Sequence, residues 1–110
     1  MNWKTLTSEE QLLEINEASA QQPIVIFKHS TRCSISSMAK SRLERAAAPE
    51  GLTFYYLDLL ANRDLSGSIA HQYKVPHESP QVLLIRNGAC IYDESHNGIN
   101  MDEIADHLNG

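Results

Sequence analysis

Apolar positions along the chain alternate between a helical spacing and short continuous runs. Leu12, Leu13, Ile15 and Ala18 form a helical stripe, opened by a capping pattern in which Thr7 stands three residues before Glu10. Gln21-Gln22-Pro23 closes that helix, because proline disfavours helical backbone in the residue before it. Ile24-Val25-Ile26-Phe27 is a continuous apolar, β-rich run, the pattern of a central strand buried on both faces. The polar stretch from Lys28 to Arg32 comes next and ends at Cys33. From Ser34 onward, Ile35, Met38, Ala39, Arg42, Leu43 and Ala46 return to helical spacing until Pro49 and Gly51 stop it. Leu52 to Leu57 is rich in aromatic and β-branched residues and predicts a second strand. A shorter helix is predicted from Asp64 or Leu65 to Tyr73, and a third strand from Gln81 to Arg86. Asn87-Gly88 is a two-residue hairpin turn into a fourth strand, Ala89 to Asp93. Asn100-Met101-Asp102-Glu103 is an N-cap pattern for a last helix through Leu108.

The predicted order is α-β-α-β-α-β-β-α, with no repeat, low-complexity stretch or linker to break it. Crossovers through helices make the first three strands a mixed, partly parallel sheet, and an antiparallel hairpin closes it. That is an α/β thioredoxin-like fold with a central four-stranded mixed sheet flanked by helices and an extra N-terminal helix. Residues 1–110 fall in the size range of a single domain able to bury a core without disulfide or metal staples.

Charge narrows the function. Nine Lys and Arg against fourteen Asp and Glu leave a net charge of −5, which makes nucleic acid a poor partner, because such binding runs mainly on phosphate neutralisation. A basic stretch at Lys40, Arg42 and Arg45 reads as a solvated helix face. No apolar run approaches the roughly 20 residues of a membrane span, and the residues after Met1-Asn2-Trp3-Lys4 are polar, unlike a signal peptide. A cytoplasmic location and a monomer are expected.

Only Cys33 and Cys90 are cysteines. Two cannot form a disulfide scaffold or a four-ligand zinc site, and His29 with Cys33 is too small a set to hold a metal. Cysteine chemistry needs thiolate, and a helix N-terminus offers it unpaired N–H donors and the positive end of the macrodipole. Cys33 falls between the buried strand and the start of the second helix. Lys28, His29 and Arg32 lie close by in sequence, and Ser30, Thr31, Ser34, Ser36 and Ser37 surround the thiol with hydroxyls. Of these, Ser36 is the best placed to donate to a thiolate, and simple helix capping is the competing reading. Cys90 differs. The hairpin turn pairs 85 with 90, so Cys90 lies at the far end of the hairpin from Pro80. If Pro80 adjoins Cys33, about 15 Å separates the sulfurs at roughly 3.4 Å per residue, against the 7 Å or so between Cα atoms that a disulfide tolerates. The same register brings Ser95 and His96 toward Ser79 and Pro80. His71, His77 and His107 show no evident role.

Lys28-His29-Ser30-Thr31-Arg32-Cys33-Ser34-Ile35-Ser36, with His77-Glu78-Ser79-Pro80-Gln81 downstream, resembles the YtxJ-like monothiol bacilliredoxins of the bacillithiol system. The resemblance runs over nearly the whole chain, from Trp3 to the terminal helix. It implies the thioredoxin fold, a C-x-x-S version of the C-x-x-C site at Cys33 to Ser36, and a cis bond at Ser79-Pro80. Ser34 stands where the family often has proline.

The activity so implied is thiol–disulfide exchange, with Cys33 as the catalytic residue. Ser36, Thr31, Arg32, Ser79 and Pro80 are candidates to stabilise the thiolate or contact substrate. The expected partners are S-thiolated client proteins and a small thiol. The co-substrate is a low-molecular-weight thiol, bacillithiol by resemblance, with glutathione or coenzyme A as substitutes, and no resident cofactor or metal is expected. Two other readings fit the same thiol. Ser30-x-x-Cys33 is compatible with a thiol peroxidase, although the chain is short for one. A non-catalytic redox sensor or adaptor would hold a partner without turnover.

Overall fold

In the computed structural model, which describes residues 2–108, ten short elements build one five-stranded sheet with helices on both faces. The elements are β1 (Trp3–Thr5), α1 (Glu9–Ala18), β2 (Ile24–His29), α2 (Ser34–Arg45), β3 (Thr53–Asp58), α3 (Arg63–Tyr73), β4 (Gln81–Arg86), β5 (Ala89–Ser95), a 3-10 turn (His96–Gly98) and α4 (Met101–Leu108). The strand order is β1-β3-β2-β4-β5. β2 runs parallel to β3, β4 runs antiparallel to β2, and β5 closes the sheet as a hairpin partner of β4.

The α/β thioredoxin-like architecture is as expected, but the sheet has five strands rather than four. β1 adds a parallel edge to β3, pairing Trp3 with Phe54 and Thr5 with Tyr56. Three residues with no alternation of their own carry no strand signal. This strand is held by the Trp3 indole, whose centroid lies 5.6 Å from the Phe27 ring and 5.8 Å from Phe54. The first helix is also capped one residue later than Thr7 and Glu10 suggest. Ser8 is the N-cap, its hydroxyl accepting from the Gln11 N–H while the Gln11 side chain accepts from the Ser8 N–H. In that frame Leu12 and Ile15 are buried, and Leu13 is turned to solvent.

Alternation along β2 divides the molecule into two cores. Ile24 and Ile26 join Leu12, Ile15, Leu65, Ile69 and Tyr73 beneath α1 and α3. Val25 and Phe27 join Ala39, Leu43, Met101 and Ile104 beneath α2 and α4. Each fully buried Leu or Ile contributes about 1.5–3 kcal/mol, so a central strand buried at all six positions is a firm anchor for the turn into α2. The strand continues past the apolar run, through Lys28 and His29, and keeps alternating. Lys28 therefore faces the α3 side and His29 the α2 side.

Register sets what meets at the end of β2. His29 pairs with Asp58 and Lys28 with Gln81, so the segments after β2 and β3 and before β4 converge on one edge of the sheet. The Leu59 N–H donates to the His29 carbonyl at 2.8 Å and fastens two of them together.

Candidate active site

Cys33 is the N-cap residue of α2, half-buried, with extended backbone and no capping hydrogen bond from its side chain. Its N–H donates to the Ser30 carbonyl and its carbonyl accepts from the Ser37 N–H. The sulfur thus stands at the end of α2 where the first-turn N–H groups lack intrahelical acceptors, and that turn contains no acidic residue. An anion in such a place is favoured by about 0.3–2 kcal/mol. Thr31 and Arg32 lie exposed on the tight turn before it. Ile35 and Met38, which share the helical spacing of the core residues, are exposed on α2 at 47% and 61%. Only Ala39 and Leu43 of that apolar series are buried in α2.

Ser36 does not turn toward the thiol. It is fully buried, and its hydroxyl lies 2.6 Å from His29 Nδ1 while accepting from the Ser30 N–H at 3.0 Å. The Ser36 hydroxyl, able to donate and to accept, thus bridges the Ser30 N–H and the imidazole. Burial, followed by the Lys40 charge, holds the His29 pKa below its ordinary value, against smaller opposing effects of Asp58 and Glu44. The imidazole packs against the rings of Phe27 and Tyr56, each 5.7 Å away. His29 is consequently a neutral, packed group and adds no positive charge to the site.

Lys28 is buried as well. Its ammonium donates to the Ser66 carbonyl at 3.2 Å and to His77 Nδ1 at 3.3 Å, and burial lowers its pKa to about 8. Sequence reasoning assigned His77 no role and did not pair it with Lys28. Lys28 lies in a strand and His77 in the loop before β4, so no local pattern links them. Downstream, the Ser79–Pro80 peptide bond is cis, and Pro80 immediately precedes the β4 residue that pairs with Lys28. The Ser79 hydroxyl and the Gln81 side-chain carbonyl are buried without hydrogen-bond partners among the described residues.

His96 arrives where the hairpin register suggested, moved by one residue. A bulge between Leu84 and Ile85 lets Gln81 pair with Ser95, so the His96 N–H donates to the Pro80 carbonyl at 3.0 Å. The His96 imidazole faces Glu78 at 3.6 Å. The basic stretch on α2 is partly engaged rather than simply solvated. Lys40 pairs with Glu44 at 2.9 Å and lies over the Trp3 ring, and Arg42 donates to the Ile99 and His96 carbonyls. Arg45 is exposed.

Cys90 pairs with Ile85 on the edge strand, four residues along β4 from Gln81, or roughly 14 Å at strand rise. Packed against the α1–α3 core, its thiol is pushed up to about 11 by burial. Among the described residues, no group of three or more His, Cys, Asp or Glu is placed to hold a metal ion.

The sequence profile of monothiol bacilliredoxin BrxC matches residues 4–104. The chain belongs to the monothiol bacilliredoxin family. Among solved structures, it is 30% identical to a candidate oxidoreductase with a thioredoxin fold, at a TM-score of 0.85, covering 96% of this chain and 93% of that one. Thioredoxin from Malassezia sympodialis superposes at 0.75 with 14% identity over 98% of this chain and 89% of its own. Thioredoxin from Trypanosoma brucei brucei superposes at 0.75 with 16% identity, covering 98% and 88%. The two thioredoxins establish the fold alone. Bacilliredoxin membership, with an oxidoreductase-like relative, places the chain among proteins of thiol–disulfide redox function. No helix among the described residues is long and apolar enough to cross a membrane.

Proposed function

We propose that this chain removes a low-molecular-weight thiol, bacillithiol, from mixed disulfides on client proteins, with Cys33 as its nucleophile. The Cys33 thiolate attacks the small-thiol sulfur of the mixed disulfide. The client leaves as a thiolate, and Cys33 carries the small thiol in a new disulfide. A second small-thiol thiolate then attacks that adduct, releasing the symmetrical small-thiol disulfide and free Cys33. Electrons balance over the two steps, since one disulfide is consumed and one is formed.

The observation that carries this reading is the occupant of position 36. A two-cysteine enzyme would place its resolving sulfur there, whereas here a buried hydroxyl is bonded to His29 and the Ser30 N–H. Cys90 is too far along the sheet and too protonated to take over. Release must therefore come from outside the chain.

The exposed Ile35 and Met38 on α2 give a client an apolar surface to cover, and Ser79-Pro80 offers backbone to an extended segment. Thr31 and Arg32 offer exposed polar side chains on the turn before the thiol. In this reading the protein works as a monomer in the reducing cytoplasm, with no metal or resident cofactor.

The test offers a bacillithiolated and a glutathionylated protein and follows small-thiol transfer by intact mass. Wild type and Cys90→Ser should acquire the adduct and Cys33→Ser should not. Adduct on neither cysteine would sink the assignment.

A further inference from the structure

On the α3 side of the same sheet edge lies a small cavity of about 220 Å³, lined by Leu59, Arg63, Ser66, Gly67 and His77. Its charge runs against that of the whole chain. Lys28, fully buried, donates to both the Ser66 carbonyl and His77 Nδ1. Arg63 is exposed at the start of α3 and, like Lys28, acts electrostatically on His77. The carboxylate that acts on His77 is Glu78, which faces His96. Asp58 accepts from the Leu60 N–H, and Asp64 lines the adjoining groove against α1 rather than this cavity. Arg63 thus lines the pocket, and Lys28 stands behind it, bonded to two of its lining residues, in a protein whose net charge is −5.

The donors are oriented as well as charged. The Ser66 hydroxyl lies 3.1 Å from His77 Nδ1, which also accepts from Lys28. That nitrogen is an acceptor, so the ring proton is on Nε2 and is free to donate. The cavity belongs to the same edge as Cys33. Leu59, in its wall, is bonded to the last carbonyl of β2, and Cys33 comes four residues later, at most about 14 Å away by chain length. The Cys33-to-Ser30 turn bond shortens that distance further. One molecule reaches both places if its carboxylate lies within that distance of the reacting sulfur.

We infer that this cavity is the docking site for the carboxylate end of the small thiol whose sulfur is exchanged at Cys33, with Arg63 and Lys28 supplying positive charge and His77 a hydrogen bond. The inference rests on Cys33 being the exchange nucleophile. It names the chemical class the site selects, a thiol bearing carboxylates, which bacillithiol and glutathione share. In the half-reaction, the Cys33 thiolate attacks one sulfur of a symmetrical small-thiol disulfide. One thiolate leaves and the other half stays on Cys33.

The experiment measures the second-order rate of adduct formation by intact mass with three disulfides: bacillithiol disulfide, glutathione disulfide and the uncharged 2-hydroxyethyl disulfide. Arg63 is exposed, so Arg63→Gln and Arg63→Glu leave both cores untouched. Loss of one charge-assisted contact should slow the two anionic disulfides about tenfold, with a larger loss in Arg63→Glu. The 2-hydroxyethyl disulfide should react at the wild-type rate. A preference for bacillithiol over glutathione in wild type identifies the source of the carboxylate, and equal rates assign the site to the charge itself. An equal change on all three disulfides, or none, overturns the inference. Wild type that forms no adduct with any of them overturns the exchange reading beneath it.

Discussion

Ser36 Oγ lies 2.6 Å from His29 Nδ1, across the interface between the central strand and the helix that carries Cys33. This bond ties position 36 to the core, and the Ser30 N–H shares the same oxygen. Ser36→Ala leaves the Ser30 N–H and the imidazole nitrogen unpaired and should cost about 1–3 kcal/mol in urea denaturation, with adduct formation on Cys33 retained. Ser36→Cys should instead convert release into an intramolecular step. The small-thiol adduct would give way to a disulfide between Cys33 and the introduced thiol without added small thiol, visible by intact mass. An adduct as long-lived as in wild type would show that position 36 does not control release.

His29 gives the pH dependence. Its folded pKa is depressed, chiefly by burial, below the ordinary 6.5, so between those values the unfolded chain binds a proton that the folded chain refuses. The stability it contributes is complete above pH 6.5 and is lost as pH falls through the folded pKa, with a slope of up to about 1.4 kcal/mol per pH unit. His77 shifts in the same direction, so the urea midpoints should be compared in wild type and His77→Asn from pH 7.5 to 5. A slope that survives in His77→Asn, with an NMR titration showing His29 neutral at pH 6.5, is the expected result. A charged His29 at that pH would contradict it.

Cys90 should behave as an inert thiol in the folded chain. Its pKa is raised from 9.0 to about 11, which cuts its thiolate fraction at neutral pH by about a hundredfold relative to an unperturbed cysteine. Iodoacetamide at pH 8 should therefore modify Cys33 in native protein and reach Cys90 only after denaturation, as peptide mapping can show. Equal labelling of both would mean that the β5 edge opens readily.

Most of the fold was legible because its signals are local. The apolar run at Ile24–Phe27, the Asn87-Gly88 turn and the helical spacing from Ser34 each specify an element without outside help. What escaped is tertiary. β1 exists because Trp3 packs against rings 24 and 51 positions away, which no window over Trp3–Thr5 can reveal. Cys33 was readable from its strand-to-helix junction. The roles of Lys28, His29 and Ser36 were not, because they depend on which face each residue takes once β2 runs two residues past its apolar stretch. In a polar loop, Lys28 and His29 would be positive charges near a thiol. As strand residues they are buried on opposite sides, one charged and one neutral.

Lys28 should be a measurable liability to the fold. Its pKa is lowered from 10.5 to about 8 by burial, so between pH 8 and 10.5 the unfolded chain keeps a proton that the folded chain has released. Its contribution therefore makes stability rise with pH across that window, by about 3 kcal/mol in all. Cys90 at about 11 and Tyr92 at about 12 are raised, and they slope the other way. The clean readout is therefore the difference between wild type and Lys28→Met, taken under reducing conditions. Methionine keeps most of the buried volume and removes the charge, a replacement that is often neutral or stabilising. The variant should be at least as stable as wild type at pH 7, and its advantage should shrink as pH approaches 10.5. Were Lys28→Met strongly destabilised at pH 7, the lysine would be a structural strut holding Ser66 and His77. Added stability together with slower reaction toward anionic disulfides would show a charge kept at the sheet edge for its ligand.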